Sequence, residues 1–175
     1  DPEPLTPNLT DLINLLKNGD YDLGIAVDPD VDRLVIIDET GNPWGEDYTL
    51  VAVADYVLKH TPGNTVSNLS SSSALQVITE KYGQKYTGSP VGEMYVVAKM
   101  KETDAVIGGE GNGGVIYPPL HYGRDGLVGI ALVLSQLAET GLSASTLRQQ
   151  YPTYAISKNK IQLTPGITAD LILEA

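Results

Sequence analysis

From residue 48 to residue 150 the chain switches again and again between two hydrophobic periods, and that alternation narrows its fold more than any other feature. Helical spacing predicts helices over 48–58, 73–82, 93–101, 125–139 and 145–150, the fourth capped by Asp125. Short apolar runs predict strands at 64–69 and 105–107. Strand–helix alternation with short connections is the pattern of an α/β fold, a layered sheet with helices. Ahead of it lie a helix entered through Thr6-Pro7 and ended by Gly19, a buried strand at 23–27, and a second apolar run at 34–37. Those are too few elements to close a sheet. The reading is therefore one complete domain over 41–150, part of a preceding one over 1–40, and a tail at 151–175 that leads towards another. The opening Asp1-Pro2-Glu3-Pro4, without Met, reads as the start of a processed or excised piece.

Composition removes several classes. With 42% hydrophobic and 19% charged residues the chain buries a core, which excludes a disordered tail, a collagen or a coiled coil. No apolar run reaches the roughly 20 residues that cross a bilayer, and no signal peptide is visible, so the cytoplasm is the expected compartment and no membrane partner is expected. Zero Cys excludes disulfides and thiolate zinc. A net charge of −11 argues against nucleic acid as a partner. Residues 1–60 hold 13 acidic and 3 basic residues, which suits either a cation site or a solvated acidic face.

Asp28-Pro29-Asp30-Val31-Asp32-Arg33 follows the buried strand directly. In an extended loop, carboxylates at i, i+2 and i+4 point to one side, and a hard divalent cation between them relieves their repulsion. An all-oxygen set favours Mg²⁺ over Zn²⁺. An EF-hand calcium loop is matched by Asp28, Asp30, Asp32 and Glu39, but Arg33 stands where that loop needs Gly, and the flanks are strands. A haloacid-dehalogenase-like phosphatase would also begin with a buried strand and Asp28-x-Asp30. The second feature is Gly108-Gly109-Glu110-Gly111-Asn112-Gly113-Gly114. It lacks the spacing and the Lys of a P-loop. Glu110 and Asn112 between glycines would offer acceptors and donors to sugar hydroxyls, while the bland alternative is a wide turn between strands. Arg124-Asp125 reads first as a helix start, and His121 as a loop residue.

Together, in this order, LGIAVDPDVDR and GEGNGG followed by Gly123-Arg124-Asp125-Gly126 resemble the metal-binding and sugar-binding loops of the α-D-phosphohexomutases. That family includes phosphoglucomutases, phosphomannomutases and phosphoglucosamine mutases, and the resemblance covers essentially the whole chain. It implies the end of the second domain and the third domain of a four-domain enzyme, without the phosphoserine loop of the first domain or the main phosphate loop of the fourth. It implies that Asp28, Asp30 and Asp32 ligate Mg²⁺, that Arg33 contacts phosphate, and that Glu110 and Asn112 bind the sugar's 3- and 4-hydroxyls. The implied partners are a hexose phosphate, a hexose bisphosphate and the two absent domains, and the chain alone would be inactive. Asn112 stands where many relatives have Ser, and Gly114 where some have His, so an imidazole general acid/base is absent at that position.

Overall fold

In the computed structural model, which describes residues 3–156, the strands form two sheets. The first is an antiparallel pair, β1 (Leu23–Val27) with β2 (Leu34–Asp38), in the register Leu23 to Asp38 and Val27 to Leu34. The second runs β4–β3–β5–β6, from Tyr86–Ser89, Asn64–Asn68, Ala105–Glu110 and Gly114–Ile116. β3 pairs parallel with β4 and β5, and β6 returns antiparallel to β5. The α/β class expected from the alternation is the class found.

Helices cover both faces of the larger sheet. α2 (Tyr48–His60) is apolar almost all round and buried along most of its length, as suits a helix in the middle of a core. It packs with α3 (Ala74–Lys81), α5 (Gly126–Thr140) and α6 (Ala144–Gln149) in the main cluster. α4 (Glu93–Glu102) covers the other face with Val96 and Met100 against Val66, Ala105 and Ile116. A bulge at Val106 lets Ala105 face α4 while Ile107 faces α2. Asp125 caps α5 as the sequence suggests, its carboxylate accepting from Val128 N at 3.0 Å.

The first segment does not stand apart from this domain. β2 is buried on both faces: Leu34 and Ile36 join the main cluster, and Val35 and Ile37 join Leu9 and Leu16 on the other side. Leu16 belongs to α1 (Thr10–Asn18), which starts after a 3-10 turn at Thr6–Leu9 and not at Pro7. The expected boundary region is itself knitted in, with Trp44 N donating to Ile36 O at 2.9 Å. Glu39 reaches further, accepting from Ser145 N at 3.0 Å at the start of α6.

Two further segments differ from the sequence reading. β5 continues past Ile107 to Glu110, so the glycine-rich segment is mostly strand and tight turn. Gly108 is needed for packing, since a Cβ there would come within 2.5 Å of Met100 Sδ. Tyr86–Ser89 is a strand that no apolar run marks in the sequence, because parallel pairing to β3 supplies what its side chains do not. Most of the expected tail at 151–175 lies outside the described residues, which end at 156. No helix among the described residues is long and apolar enough to cross a membrane.

Candidate active site

β3 lies between β4 on one side and β5 on the other, so the chain changes direction there, and α/β folds bind ligands at the carboxyl ends of strands beside such a reversal. The strand ends bring together Asn68, Ser89 and Glu110. Glu110 is buried, and its carboxylate accepts from Asn68 Nδ2 at 2.7 Å and Gly92 N at 3.2 Å, and pairs with Arg124 Nη1 at 2.9 Å. Asn112 sits two residues on in the Gly111–Gly113 turn but faces elsewhere. Its Oδ1 accepts from Gly114 N at 3.3 Å, and it lines a cleft of about 140 Å³ with Glu3, Arg33 and Glu46. The two expected sugar contacts thus belong to one turn and face different neighbours.

Asp28, Asp30 and Asp32 do converge, with one oxygen of each within 4.8 Å of the others. Alternation along an extended chain is not the cause. The loop curls back between β1 and β2: Asp28 Oδ1 accepts from Asp32 N at 3.1 Å and Arg33 N at 3.0 Å, and Val31 N donates to Asp28 O at 3.1 Å. Val31 is held at a φ of 60°, a left-handed conformation that costs a β-branched residue about 1–2 kcal/mol. Gly126 N, donating to Val31 O at 2.8 Å, helps to hold it there. Among the described residues Asp30 has no hydrogen bond or ion pair and is exposed. Burial raises the Asp32 carboxyl above its ordinary range, the nearby Arg124 opposes this, and the charges of Asp28 and Asp30 add to the rise. Three oxygens so close, on groups that repel one another, suit a hard cation that takes oxygen ligands.

Arg33 stands beside this cluster. Nη1 pairs with Glu3 at 2.8 Å, which with the negative field of Asp28 and Asp32 keeps the guanidinium firmly charged. Its Nε lies 3.4 Å from Asp28 Oδ2, buried and without a hydrogen-bond partner. Asp28, Pro29, Asp30, Glu3 and Arg33 line an open cleft of about 390 Å³.

The two hairpins are joined. Leu34 N donates to Gly113 O at 3.1 Å, and Leu34 O accepts from Thr49 Oγ1 at 2.9 Å. Gly113 has a φ of 91°, and a Cβ there would lie 2.4 Å from Leu34 O, so only glycine allows the approach. Arg124 completes the join. It reaches Asp32, Glu93 at 3.1 Å and Glu110 at 2.9 Å from a largely buried position. Sequence reasoning passed over Arg124 as the lead-in to a helix. The available signal was its place in the Gly123-Arg124-Asp125-Gly126 run, but nothing local marks the three carboxylates it serves.

Residues 45–154 match the family model of the phosphoglucomutase/phosphomannomutase α/β/α domain III, and residues 1–41 that of domain II. A probable phosphoglucosamine mutase of Methanopyrus kandleri is 34% identical over 163 residues, 93% of this chain and 36% of that protein. A phosphoglucomutase/phosphomannomutase of Thermococcus kodakarensis is 37% identical over 161 residues, 91% of this chain and 35% of that protein. The chain thus spans about a third of the length of the curated relatives it matches. A putative phosphomannomutase from Thermus thermophilus superposes with a TM-score of 0.80 at 28% identity, over 86% of this chain and 35% of that one. N-acetylphosphoglucosamine mutase of Aspergillus fumigatus, solved with GlcNAc-6P and magnesium, shares the fold at a TM-score of 0.62 and 15% identity, over 78% of this chain and 34% of that one. These matches leave the phosphatase alternative without support, and the strands that flank the Asp loop are not the helices of an EF-hand. With domain III and domain II models matched in sequence along nearly its whole described length, the chain belongs to the phosphoglucomutase/phosphomannomutase family.

Proposed function

We propose that this chain supplies the metal-binding and sugar-binding parts of a phosphohexomutase that interconverts hexose 1-phosphate and hexose 6-phosphate through a bisphosphate. In this reading 1–40 is the end of a second domain, 41–150 a third domain, and 151–175 the way into a fourth. The chain by itself is inactive, because the phosphoserine and the main phosphate loop belong to other domains. One observation supports the reading: the loop in which Asp28, Asp30 and Asp32 converge runs into Leu34, whose N–H donates to Gly113 O in the turn that follows Glu110 and carries Asn112.

The donor set fits Mg²⁺, since it is all oxygen, acidic and close enough to share one ion. Bound there, Mg²⁺ would offset charge on a transferring phosphoryl group. Arg33 has a fixed cationic fork and a buried Nε without a hydrogen-bond partner, which suits it to hold phosphate oxygen next to the metal. Glu110, oriented by Arg124, Asn68 and Gly92, accepts from a ring hydroxyl through its remaining lone pairs. Asn112 offers an amide to the neighbouring hydroxyl. Contacts to hydroxyls in the middle of the ring remain usable when the bisphosphate turns end for end, which the cycle requires. The absence of His at Gly114 leaves proton transfer to groups elsewhere in the enzyme.

The test is an assay of the full-length protein on glucose, mannose and glucosamine phosphates with and without Mg²⁺. Conversion of at least one 1-phosphate to its 6-phosphate, lost with EDTA and with alanine at all three Asp positions, is expected. Activity that survives the triple substitution overturns the assignment.

A further inference from the structure

A single guanidinium serves three carboxylates from three separate elements. Arg124 meets Asp32 of the β1–β2 loop, Glu93 at the start of α4 and Glu110 at the end of β5, and its side chain is only 15% exposed. None of the three is its neighbour in sequence, and its aliphatic stem lies against Gly114, where a Cβ would come within 2.4 Å of Arg124 Cδ. The site is built around this one side chain: the glycine leaves room for the stem, and the carboxylates take the fork. Asp32 also has Arg33 Nε at 3.9 Å, so two cations face it and one of them is shared with the sugar side.

We propose that Arg124 is a positioning residue that ties the metal-binding loop to the sugar-binding turn by dividing its guanidinium among Asp32, Glu93 and Glu110. The inference rests on the mutase reading for the identity of the ligands. On the metal side Arg124 acts as a resident counter-charge to Asp32, so it weakens the pull of the Asp cluster on a divalent cation. On the sugar side it fixes the Glu110 carboxylate in one orientation, so it strengthens hydroxyl binding. One residue therefore pushes the two affinities in opposite directions. A residue that only stabilised the fold would move both the same way.

The experiment uses the full-length protein with Arg124→Met, which keeps an apolar stem and removes the charge, and Arg124→Lys, which keeps the charge and loses the fork. Mn²⁺ affinity is read by paramagnetic titration, and affinity for the hexose phosphate that the wild type turns over is read by calorimetry. Arg124→Met should bind Mn²⁺ about three- to tenfold more tightly, as removal of a cation a few ångströms from Asp32 requires, and bind the sugar phosphate about tenfold or more weakly. Arg124→Lys should leave Mn²⁺ affinity near wild type and still weaken the sugar phosphate, since one ammonium cannot fork to three carboxylates. Unchanged or weaker Mn²⁺ binding in Arg124→Met overturns the proposal, as does a parallel loss of both ligands with a lowered melting temperature. If the wild type turns over no hexose phosphate, the mutase reading falls by itself, and the Mn²⁺ arm still judges Arg124.

Discussion

Two antiparallel hairpins carry the acidic residues of this site, and they treat their carboxylates in opposite ways. Between β1 and β2 a six-residue loop bunches three Asp and leaves Asp30 without a protein partner among the described residues. Between β5 and β6 a three-residue turn follows Glu110, which is buried and already has two N–H donors and a guanidinium. The first arrangement is costly until a cation arrives, since like charges a few ångströms apart repel. The second is complete before any ligand arrives, and the pairing holds the acceptor in one orientation. A cluster with one carboxylate left open suits capture of an ion. A satisfied carboxylate with spare lone pairs suits recognition, where geometry matters more than charge. Val31, held left-handed in the first hairpin, and Gly113, left-handed in the second, meet the rest of the molecule through one backbone hydrogen bond each.

That contrast can be broken in four places. Asp30→Asn should have the largest effect on activity and the least on stability. It removes a proposed metal ligand that has no hydrogen bond or ion pair among the described residues, so kcat/KM of the full-length enzyme should fall about a hundredfold or more, in line with loss of a group acting on the transferring phosphoryl. The melting temperature should stay close to that of the wild type, and a large drop would show Asp30 to be structural. Glu110→Gln should lower kcat/KM by about one to two orders of magnitude, the worth of a charged hydrogen bond of roughly 1.5–3 kcal/mol. It also removes one of the three counter-charges of Arg124, so a modest drop in melting temperature should accompany it, unlike at Asp30. Glu110→Ala would leave Asn68 Nδ2 without its acceptor and Arg124 with two of its three carboxylates, and should destabilise the fold further, which makes Gln the cleaner variant.

Gly113→Ala probes the join between the hairpins. The forbidden approach to Leu34 O and the left-handed φ should together cost about 1–3 kcal/mol of stability, read by denaturant unfolding. A neutral result would mean that the two hairpins can separate without penalty. Glu39→Gln should cost least, about 1 kcal/mol at neutral pH, the usual worth of a helix-capping acceptor. Burial works against the Glu39 carboxylate, but hydrogen bonds from Ser145 win and hold its pKa below the ordinary range. A depressed folded-state pKa stabilises the protein above the unfolded-state value and loses that contribution as pH falls through the folded one. The gap between wild type and Glu39→Gln should therefore close as the pH falls below the usual carboxylate range. A gap that stays constant down to acid pH would remove the charged form of Glu39 from the tether between β2 and α6.

The α/β class, most of the helices, the Asp125 cap and the grouping of Asp28, Asp30 and Asp32 were legible in the residues, because hydrophobic period, capping chemistry and charge spacing act over a few positions. Two strand segments carried no local signal for a physical reason. Tyr86–Ser89 owes its strand to parallel pairing with β3, and the Gly108–Glu110 stretch is strand because it pairs with β3 and β6, neither of which is a local property. The Asp cluster was found by spacing, yet the alternation invoked to bring it together is not the geometry that does so. The curl comes from backbone N–H groups closing on Asp28 and from Gly126 reaching Val31 across the fold. Arg124 shows the limit most clearly. Its neighbours in sequence make it a helix preface, and its role depends on Asp32, Glu93 and Glu110, which are 92, 31 and 14 positions away. Sequence alone determined which residues could do chemistry. Only the tertiary structure decided which of them share a counter-ion, because a charge is felt through space by whatever the fold brings within a few ångströms.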